Sequence, residues 1–406
     1  MHSLKPDTFQ LLRLLGLSLF LSIALMGNIQ SQEPSVPSTQ KVVLAHYMPW
    51  FEAKPTSGRW GWHWTMNAVD PDKQVEGKRS IASHHYPLIG PYDSSDRDVI
   101  EYHLATMKLA GIDGVIVDWY GLTDFRDYAI LHRNTTRVLE AAERLQMKFV
   151  ICYEDQTIPA LVEGKRISEQ DRISHAASEI EWLGKYWFRS PSYCKWEGKP
   201  VLLSFGLNGL KDSEWTQCLQ QSKVDVSYFS QQTRRQAAIG GFDWPIPADA
   251  DAAHRRFALS SKSWPASIPV VYPRFVDFYA EAKVGPSYGT IADDGGIRYR
   301  KLLETALESQ GPIVQLATWN DWGEGTEIEP SVEYGYRDLE TTLSILKKRG
   351  MQSQAINAED LRLPKIWLEK TRSASSTDEQ QKLREIILRI ANGELDQFRT
   401  WLVNRP

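Results

Sequence analysis

Cysteine is scarce in this chain, with 3 cysteines among 406 residues. So few cysteines exclude a small fold held together by disulfides, and neither their number nor their spacing indicates a metal site. Cys152 lies in an apolar run and is predicted to be buried. Cys194 and Cys218 could pair in an oxidising compartment, and the sequence leaves that question open.

A surplus of charge of one sign is also missing. The formal net charge is -4, and no basic patch stands out, which excludes nucleic acid as an expected partner. No glycine-rich phosphate loop follows a predicted strand, which argues against a nucleotide-dependent enzyme. We therefore expect neither a metal nor an organic cofactor, and we expect the protein to act as a monomer.

The most prominent hydrophobic run is short and lies near the N-terminus. Residues 14–27 (LLGLSLFLSIALMG) follow Lys5 and Arg13 and precede a polar stretch. This order is typical of a secretory signal peptide, and the run is short for a membrane span. We predict a signal peptide or anchor at residues 1–32, a linker at 33–40, and a secreted or periplasmic protein. Membrane attachment is expected only if the segment stays uncleaved.

Aromatic residues, in contrast, are abundant, with 15 Trp and 16 Tyr. Both side chains combine a flat apolar face with a polar edge, which suits stacking on sugar rings. Core packing must still account for most of them.

Short apolar runs alternate with helical patterns along residues 41–350. Eight of these runs are interpreted as strands, and several are continuous and β-branched, which is typical of parallel strands buried on both faces. Eight strands with intervening helices predict a (β/α)8 TIM barrel. The fifth and sixth strands have the weakest patterns. Residues 351–406 are predicted to form a linker and a helical extension on the outside of the barrel.

Catalytic groups of such barrels lie at the C-terminal ends of the strands, and six of the predicted strands end in polar or aromatic residues. We therefore expect these residues to share one rim. The candidate substrate-binding residues at these ends are His46, Tyr47, Asp118, Trp119, Tyr120, Glu154, Tyr272, Trp319, Asn320 and Trp322.

Four acids and two tryptophans are concentrated in the segment Trp319–Ser331 (WNDWGEGTEIEPS). Hydrolysis of a glycosidic bond usually takes two carboxyl groups, one to protonate the leaving oxygen and one to act as nucleophile or base. Asp321 and Glu324 form the candidate pair, since burial beside tryptophan would raise the pKa of one acid. Glu329 is expected to hold the loop, and Glu327 to reach solvent. The alternative is a solvated acidic loop before a helix.

The run WNDWGEGTEIEPSVEYGY resembles the carboxy-terminal signature of glycoside hydrolase family 99, where the matching stretch is N-E-W-H-E-G-T-x-I-E. Upstream, HHYPLIGPYDSSDRDVIEYHLATMKLAGIDGVIVDWYG resembles the family's Pro-x-x-Gly, Tyr, Ser-x-Asp, helix and Trp-Tyr strand end. The resemblance covers most of residues 42–336. It adds His85 and Tyr86 as candidate substrate-binding residues and suggests a stacking platform at Trp119 and Tyr120.

The family implies a (β/α)8 barrel and an endo-acting enzyme that cleaves α-mannosidic linkages with retention of configuration. One carboxylate deprotonates the sugar's 2-hydroxyl, which attacks the anomeric carbon and gives a 1,2-anhydro intermediate. The other protonates the leaving oxygen and then activates water. By position, Asp321 matches the first acid and Glu324 the second. Two departures, Asp321 for Glu and Gly323 for His, leave the sugar and the linkage open.

Three other interpretations remain. The chain could be another α-glycanase, such as an α-1,3-glucanase, or a carbohydrate-binding barrel without turnover. A metal-dependent hydrolase would use His46, Asp118 and Glu154, but no H-x-H pair ends the first strand. His103 lies on a predicted helix, where packing is the expected role.

Overall fold

The structure is a computed structural model, and it describes residues 41–403. The predicted signal segment at residues 1–32 and the linker at 33–40 lie outside the described residues.

A ring of parallel strands forms the centre of the fold. The strands are β1 Val42–Tyr47, β2 Gly114–Trp119, β3 Lys148–Glu154, β4 Lys199–Phe205, β5 Ser227–Gln231, β6 Gly240–Phe242, β7 Ala266–Ile268 continued by Val270–Val271, and β8 Ile313–Leu316. Each pairs with the next in chain order, and β1 pairs with β8. Pro269, which has no N–H to donate, divides β7. Its first segment pairs with β6 and its second with β8. The predicted TIM barrel is therefore confirmed.

Helices follow most of the strands. They are α1 Lys54–Ser57, α2 Trp62–Thr65, α3 Arg97–Ala110, α4 Tyr128–Arg144, α5 Thr157–Glu163, α6 Arg172–Lys185, α7 Asp212–Ser222, α8 Ala250–Ser260, α9 Ile297–Glu308 and α10 Arg337–Lys348. Residues 232–239 join β5 to β6 without a helix, so the regular alternation is lost where the sequence pattern was weakest.

Short strands and 3-10 helices lie in the loops. The short strands are Gln74–Val75, Lys78–Arg79, Lys195–Trp196, Phe275–Val276 and Thr290–Ile291, and the 3-10 helices are Glu169–Asp171, Trp187–Arg189, Pro247–Asp249, Ser261–Ser263, Asp294–Gly296 and Ala358–Arg362.

Alternation along the strands separates two cores. Side chains of one parity, such as Leu44, Ile116 and Val150, point into the barrel and pack together. Those of the other parity, such as Val117 and Ile151, pack beneath the helices. Because successive strand residues face opposite sides, only the inward set can reach a site at the barrel mouth.

Three further helices follow the barrel, α11 Leu363–Ser373, α12 Thr377–Ala391 and α13 Thr400–Val403. Both α11 and α12 pack against α3. Trp367 is fully buried and donates its indole N–H to the carbonyl of Leu383 at 2.6 Å, which joins α11 to α12. The extension therefore covers α3 on the outside of the barrel.

The three cysteines are free and buried. Cys194 packs in the barrel interior, whereas Cys218 packs in the outer core, so the two do not pair.

Within residues 41–403, no helix has both the length and the apolar character needed to cross a bilayer.

The close approach of β2 to β3 requires a glycine at position 114. A β-carbon there would lie 1.9 Å from the carbonyl oxygen of Lys148. We expect Gly114→Ala to force the strands apart and to lower the free energy of unfolding by about 1–3 kcal/mol or more. Thermal unfolding measures the effect, with Gly285→Ala as control because nothing lies within 4 Å of its β-carbon position. Equal Tm values for the two variants would contradict this packing.

Candidate active site

A cavity opens at the C-terminal end of the barrel, between the loops that follow β1, β2, β7 and β8. Its inner part measures about 160 Å³ and is lined by Trp50, Trp62, His63, Met66, Tyr120, Tyr279, Asp321 and Gly323. A wider cleft of about 620 Å³ shares four of these residues and adds Glu52, Arg59, Trp60, Gly61, Arg126, Asp127 and Tyr128. The site therefore combines one acid deep in the barrel mouth with an aromatic approach.

Asp321 is held in place by the loop that carries it. Its backbone N–H donates to Thr318 Oγ1 at 2.8 Å, and its Oδ1 accepts the backbone N–H of Glu324 at 3.2 Å. Burial raises the pKa of Asp321 to about 7 because the charged form loses its hydration, and the negative charge of Asp118 adds to the shift. Asp321 can therefore gain or lose a proton near neutral pH.

Glu324 is half-buried on the same loop. Its Oε1 accepts a hydrogen bond from the Tyr279 hydroxyl at 3.1 Å. Burial raises the pKa of Glu324 well above its usual range, the nearby charge of Asp321 adds to this, and the Tyr279 hydrogen bond opposes it. Both carboxyl groups of the loop therefore hold a proton to higher pH than exposed carboxyl groups do.

Two further carboxyl groups end β2 and β3. Burial raises the pKa of Asp118 to about 8, and it raises the pKa of Glu154 well above its usual range, with Asp118 contributing. Glu154 also accepts a hydrogen bond from Gln156 Nε2 at 3.0 Å. Protonated carboxyl groups can donate hydrogen bonds, so both acids suit sugar hydroxyls as partners. Tyr120, next to Asp118 in sequence, lines the cavity itself.

His46 lies inside the barrel, below these acids. Burial lowers its pKa to about 3, so the imidazole is neutral, and it packs edge-on against Trp244 at 4.8 Å. Ligand atoms of His46, Asp118 and Cys152 lie within 4.8 Å of one another, so this trio could hold a cation. Glu154, which the metal-hydrolase interpretation required, is not part of the trio.

Tyr47 and Trp119 have the opposite parity, Trp319 lies beyond the end of β8, and all three side chains are fully buried in the outer core. The Tyr47 hydroxyl lies 3.0 Å from His103 Nδ1, and Trp119 Nε1 donates to His132 Nδ1 at 3.2 Å. The prediction that these three side chains bind substrate is wrong, because they are covered by helices. The suggested stacking platform loses Trp119 for the same reason.

Asn320 and Trp322 are buried inside the scaffold of the loop. Asn320 uses its amide on the backbone of Met48, accepting its N–H at 2.8 Å and donating to its carbonyl at 3.0 Å. Trp322 Nε1 donates to Tyr92 and Glu329. Neither side chain lines the described cavity, so their contacts support the loop rather than a substrate.

His85, Tyr86 and Tyr272 also lie away from the lining of the described cavity. His85 Nδ1 is 2.9 Å from Glu327 Oε1, and Glu327 is buried, which corrects the expectation that it reaches solvent. The Tyr86 hydroxyl accepts the backbone N–H of Arg79 at 3.2 Å. Tyr272 is buried in the barrel interior.

The sequence reasoning missed the aromatic approach to the site. Trp50 and His63 stack with ring centroids 4.1 Å apart and planes 8° from parallel, and Trp62 is 39% exposed beside them. The signal was the tryptophan-rich run RWGWHWT at residues 59–65. Tyr279, the partner of Glu324, carried no motif.

Gly323 is the position where family 99 has histidine. A β-carbon there would lie 2.8 Å from the methyl group of Met66. The end of a flexible side chain thus occupies the space in this chain, and both residues line the inner cavity.

The site thus places Asp321 and Glu324 on one loop at the C-terminal mouth of a (β/α)8 barrel, beside an aromatic cleft, which is the kind of arrangement that glycoside hydrolases use. The family model described as Glycosyl hydrolase family 99 matches residues 38–230. The matched residues include Asp118 and Glu154 and end before the loop with Asp321 and Glu324.

Curated relatives point to the same family. The chain is 23% identical over 300 residues to a glycoprotein endo-alpha-1,2-mannosidase-like protein of Danio rerio, covering 66% of this chain and 65% of that protein. It is 21% identical over 337 residues to the glycoprotein endo-alpha-1,2-mannosidase of Mus musculus, covering 73% and 69%. The chain therefore spans about two thirds of the length of these relatives.

Solved structures show the same fold. The GH99 endo-alpha-mannosidase from Bacteroides thetaiotaomicron matches with a TM-score of 0.59 at 18% identity, over 77% of this chain and 98% of that chain. A glycoside hydrolase-like protein matches with a TM-score of 0.54 at 13% identity, over 77% and 94%. These comparisons confirm the resemblance to glycoside hydrolase family 99.

Burial of Asp118 makes stability depend on pH. Its pKa is about 8 in the folded protein against an ordinary 3.8, so the folded state binds this proton more tightly than the unfolded state. The contribution of Asp118 to the free energy of unfolding is therefore largest below about pH 4, and it falls as the pH rises toward 8. We expect the Tm of Asp118→Asn to decline less between pH 5 and 8 than that of the wild type. Asp225→Asn, at an exposed acid, serves as control and should follow the wild-type curve. An unchanged slope in Asp118→Asn would show that the acid is not desolvated.

Proposed function

We propose that the protein is an endo-acting glycoside hydrolase that cleaves α-mannosidic linkages within a glycan and retains the anomeric configuration. The observation that carries the proposal is the placement of Asp321 and Glu324 on one short loop, where burial raises the pKa of both carboxyl groups. The names of the relatives support mannose as the sugar.

In the first step, the Asp321 carboxylate takes the proton of the sugar's 2-hydroxyl. The 2-oxygen attacks the anomeric carbon, and the bond from that carbon to the glycosidic oxygen breaks. Glu324 gives its proton to the departing oxygen. The products are a 1,2-anhydro sugar in the site, a protonated Asp321, an ionised Glu324 and a released glycan.

In the second step, the Glu324 carboxylate takes a proton from water, and the water oxygen bonds to the anomeric carbon. The bond from that carbon to the 2-oxygen breaks, and Asp321 returns its proton to the 2-oxygen. Two inversions at one carbon give net retention, and both acids regain their starting states.

The aromatic cleft supports an endo mode of action. It continues outward from the inner cavity past Trp50, Trp62 and Tyr128, and it is several times the size of that cavity. Flat rings and hydroxyl-binding edges suit neighbouring sugars of a longer glycan. A chain bound there would extend beyond the residue that reacts at Asp321.

We also propose export as a secreted or periplasmic enzyme. The support is the pattern of residues 1–32, a positive start followed by a short apolar run. Sequencing the N-terminus of the protein recovered from its natural host would test cleavage of this segment.

The function is tested with a panel of α-mannans and α-glucans. We expect the wild type to release oligosaccharides from mannan, and Glu324→Gln and Asp321→Asn to lose about 10²–10⁴-fold in kcat. Reducing ends, product sizes and the anomer first formed are measured, the last by NMR. Glu281→Gln removes an exposed carboxylate nearby and should keep wild-type activity.

Other outcomes would redirect the proposal. Release from α-glucan alone would change the sugar to glucose, as in an α-1,3-glucanase. Binding of glycan with no release by any protein would identify a carbohydrate-binding barrel instead.

The acid and base also predict the pH profile of kcat/KM. Activity should rise with pH through about 7 as Asp321 ionises and should fall when Glu324 loses its proton. Tyr279→Phe removes a hydrogen bond that stabilises ionised Glu324, so the alkaline limb should move to higher pH while the acid limb stays in place. An alkaline limb that does not move would remove Glu324 from the role of acid.

A further inference from the structure

A buried carboxylate, Glu329, lies behind the catalytic loop and collects three hydrogen-bond donors. Its Oε1 is 3.0 Å from His103 Nε2 on α3. Its Oε2 accepts the Tyr92 hydroxyl at 2.7 Å and Trp322 Nε1 at 3.2 Å. All four side chains are buried, so each bond forms without competition from water.

The network also assigns the tautomer of His103. The buried Tyr47 hydroxyl lies 3.0 Å from His103 Nδ1. Among the described residues, this nitrogen is the hydrogen-bond acceptor available to the hydroxyl. Tyr47 therefore donates to Nδ1, and the Nε2–H of a neutral imidazole donates to Glu329. Glu329 is then a single buried negative charge satisfied by three donors.

The same network reaches the residues on both sides of Asp321. Tyr92 accepts Asn320 Nδ2 at 3.0 Å as well as donating to Glu329. Trp322 donates to Glu329 directly. The backbone closes the loop, since the N–H of Glu329 donates to the carbonyl of Trp319 at 2.9 Å. Asp321 thus lies between Asn320 and Trp322 in the chain, and both of these side chains are connected to Glu329, Asn320 through Tyr92 and Trp322 directly.

We propose that the relay Tyr47–His103–Glu329 is the positioning device of the catalytic loop, and that Glu329 is a positioning residue for Asp321. The proposal rests on the proposed function. Glu329 does not line the described cavity, so it acts on Asp321 through the loop that carries both residues.

The first test is Glu329→Gln. The new side-chain amide would place its own N–H group against the donors that the Glu329 carboxylate now accepts. We expect kcat on the glycan to fall about 100-fold, because a carboxylate displaced by about 1 Å loses that much. KM should change much less, since the aromatic cleft that holds the glycan is untouched. The acid limb of the pH profile should stay near its wild-type position.

The chain offers a matched control in Asp360, which follows the barrel. It is also buried, and it also accepts three donors, the backbone N–H of Asn357 at 2.7 Å and the Arg399 guanidinium at 2.9 and 2.8 Å. Asp360→Asn should lower Tm as Glu329→Gln does, yet leave kcat unchanged. A loss of kcat in both variants, or in neither, would overturn the proposal.

His103→Gln tests the tautomer. A glutamine amide keeps one acceptor for Tyr47 and one donor for Glu329, so it should retain more kcat than His103→Leu, which keeps neither. Equal kcat values in these two variants would remove His103 from the relay. If Glu329→Gln does not fold, Tyr92→Phe, which removes one donor to Glu329, takes its place with the same expected split of kcat and KM.

Hydrogen exchange separates this proposal from the proposed function. In Glu329→Gln the amides of residues 318–329 should exchange at least about tenfold faster than in wild type or in Asp360→Asn. This measurement needs no turnover. If the wild type cleaves no glycan, the proposed function fails and the exchange result alone decides the positioning role; unchanged exchange would overturn it.

Discussion

Desolvation of carboxyl groups is the constraint on which this site depends. Asp118 and Asp321 are almost fully buried, and burial is the largest cause of the raised pKa of each. A carboxylate in such a place must either be neutralised by protonation or be surrounded by donors. The barrel mouth uses both solutions. Asp321 and Glu324 have few donors and raised pKa values, whereas Glu329, on the same loop, has three donors.

The rigidity of the loop follows from that division. A second buried carboxylate, Glu327, lies 2.9 Å from His85 and 3.3 Å from Arg274, which also binds Asp293 at 3.0 Å. The reactive pair therefore sits between a network centred on Glu329 and another centred on Glu327. Both oxygens of Glu329 accept hydrogen bonds and Glu327 is paired through its Oε1, whereas the Asp321 carboxyl group faces the cavity.

The sequence predicted the strands well because their signal is local. Continuous β-branched runs such as GVIVDW need no distant partner to be identified, and their ends located Asp118, Tyr120 and Glu154 at the rim. The prediction from sequence failed where a shift of one residue along a strand decides which face of the sheet a side chain occupies. Tyr47 and Trp119 adjoin inward-facing residues, but the pleat turns them into the outer core. Contacts between distant segments, such as His103 with Glu329 or Tyr279 with Glu324, had no local pattern at all.

The two departures from the family 99 motif, at Asp321 and Gly323, lie side by side in the lining of the inner cavity. Asp321 is one methylene shorter than the family's glutamate, and Gly323 replaces a histidine beside it. With no side chain at position 323, the methyl group of Met66 enters the inner cavity from the loop after β1. The space that a side chain at position 323 would take is thus filled by Met66 instead, beside the shorter carboxyl group of Asp321. The shape of the inner cavity is therefore set jointly by Asp321, Gly323 and Met66.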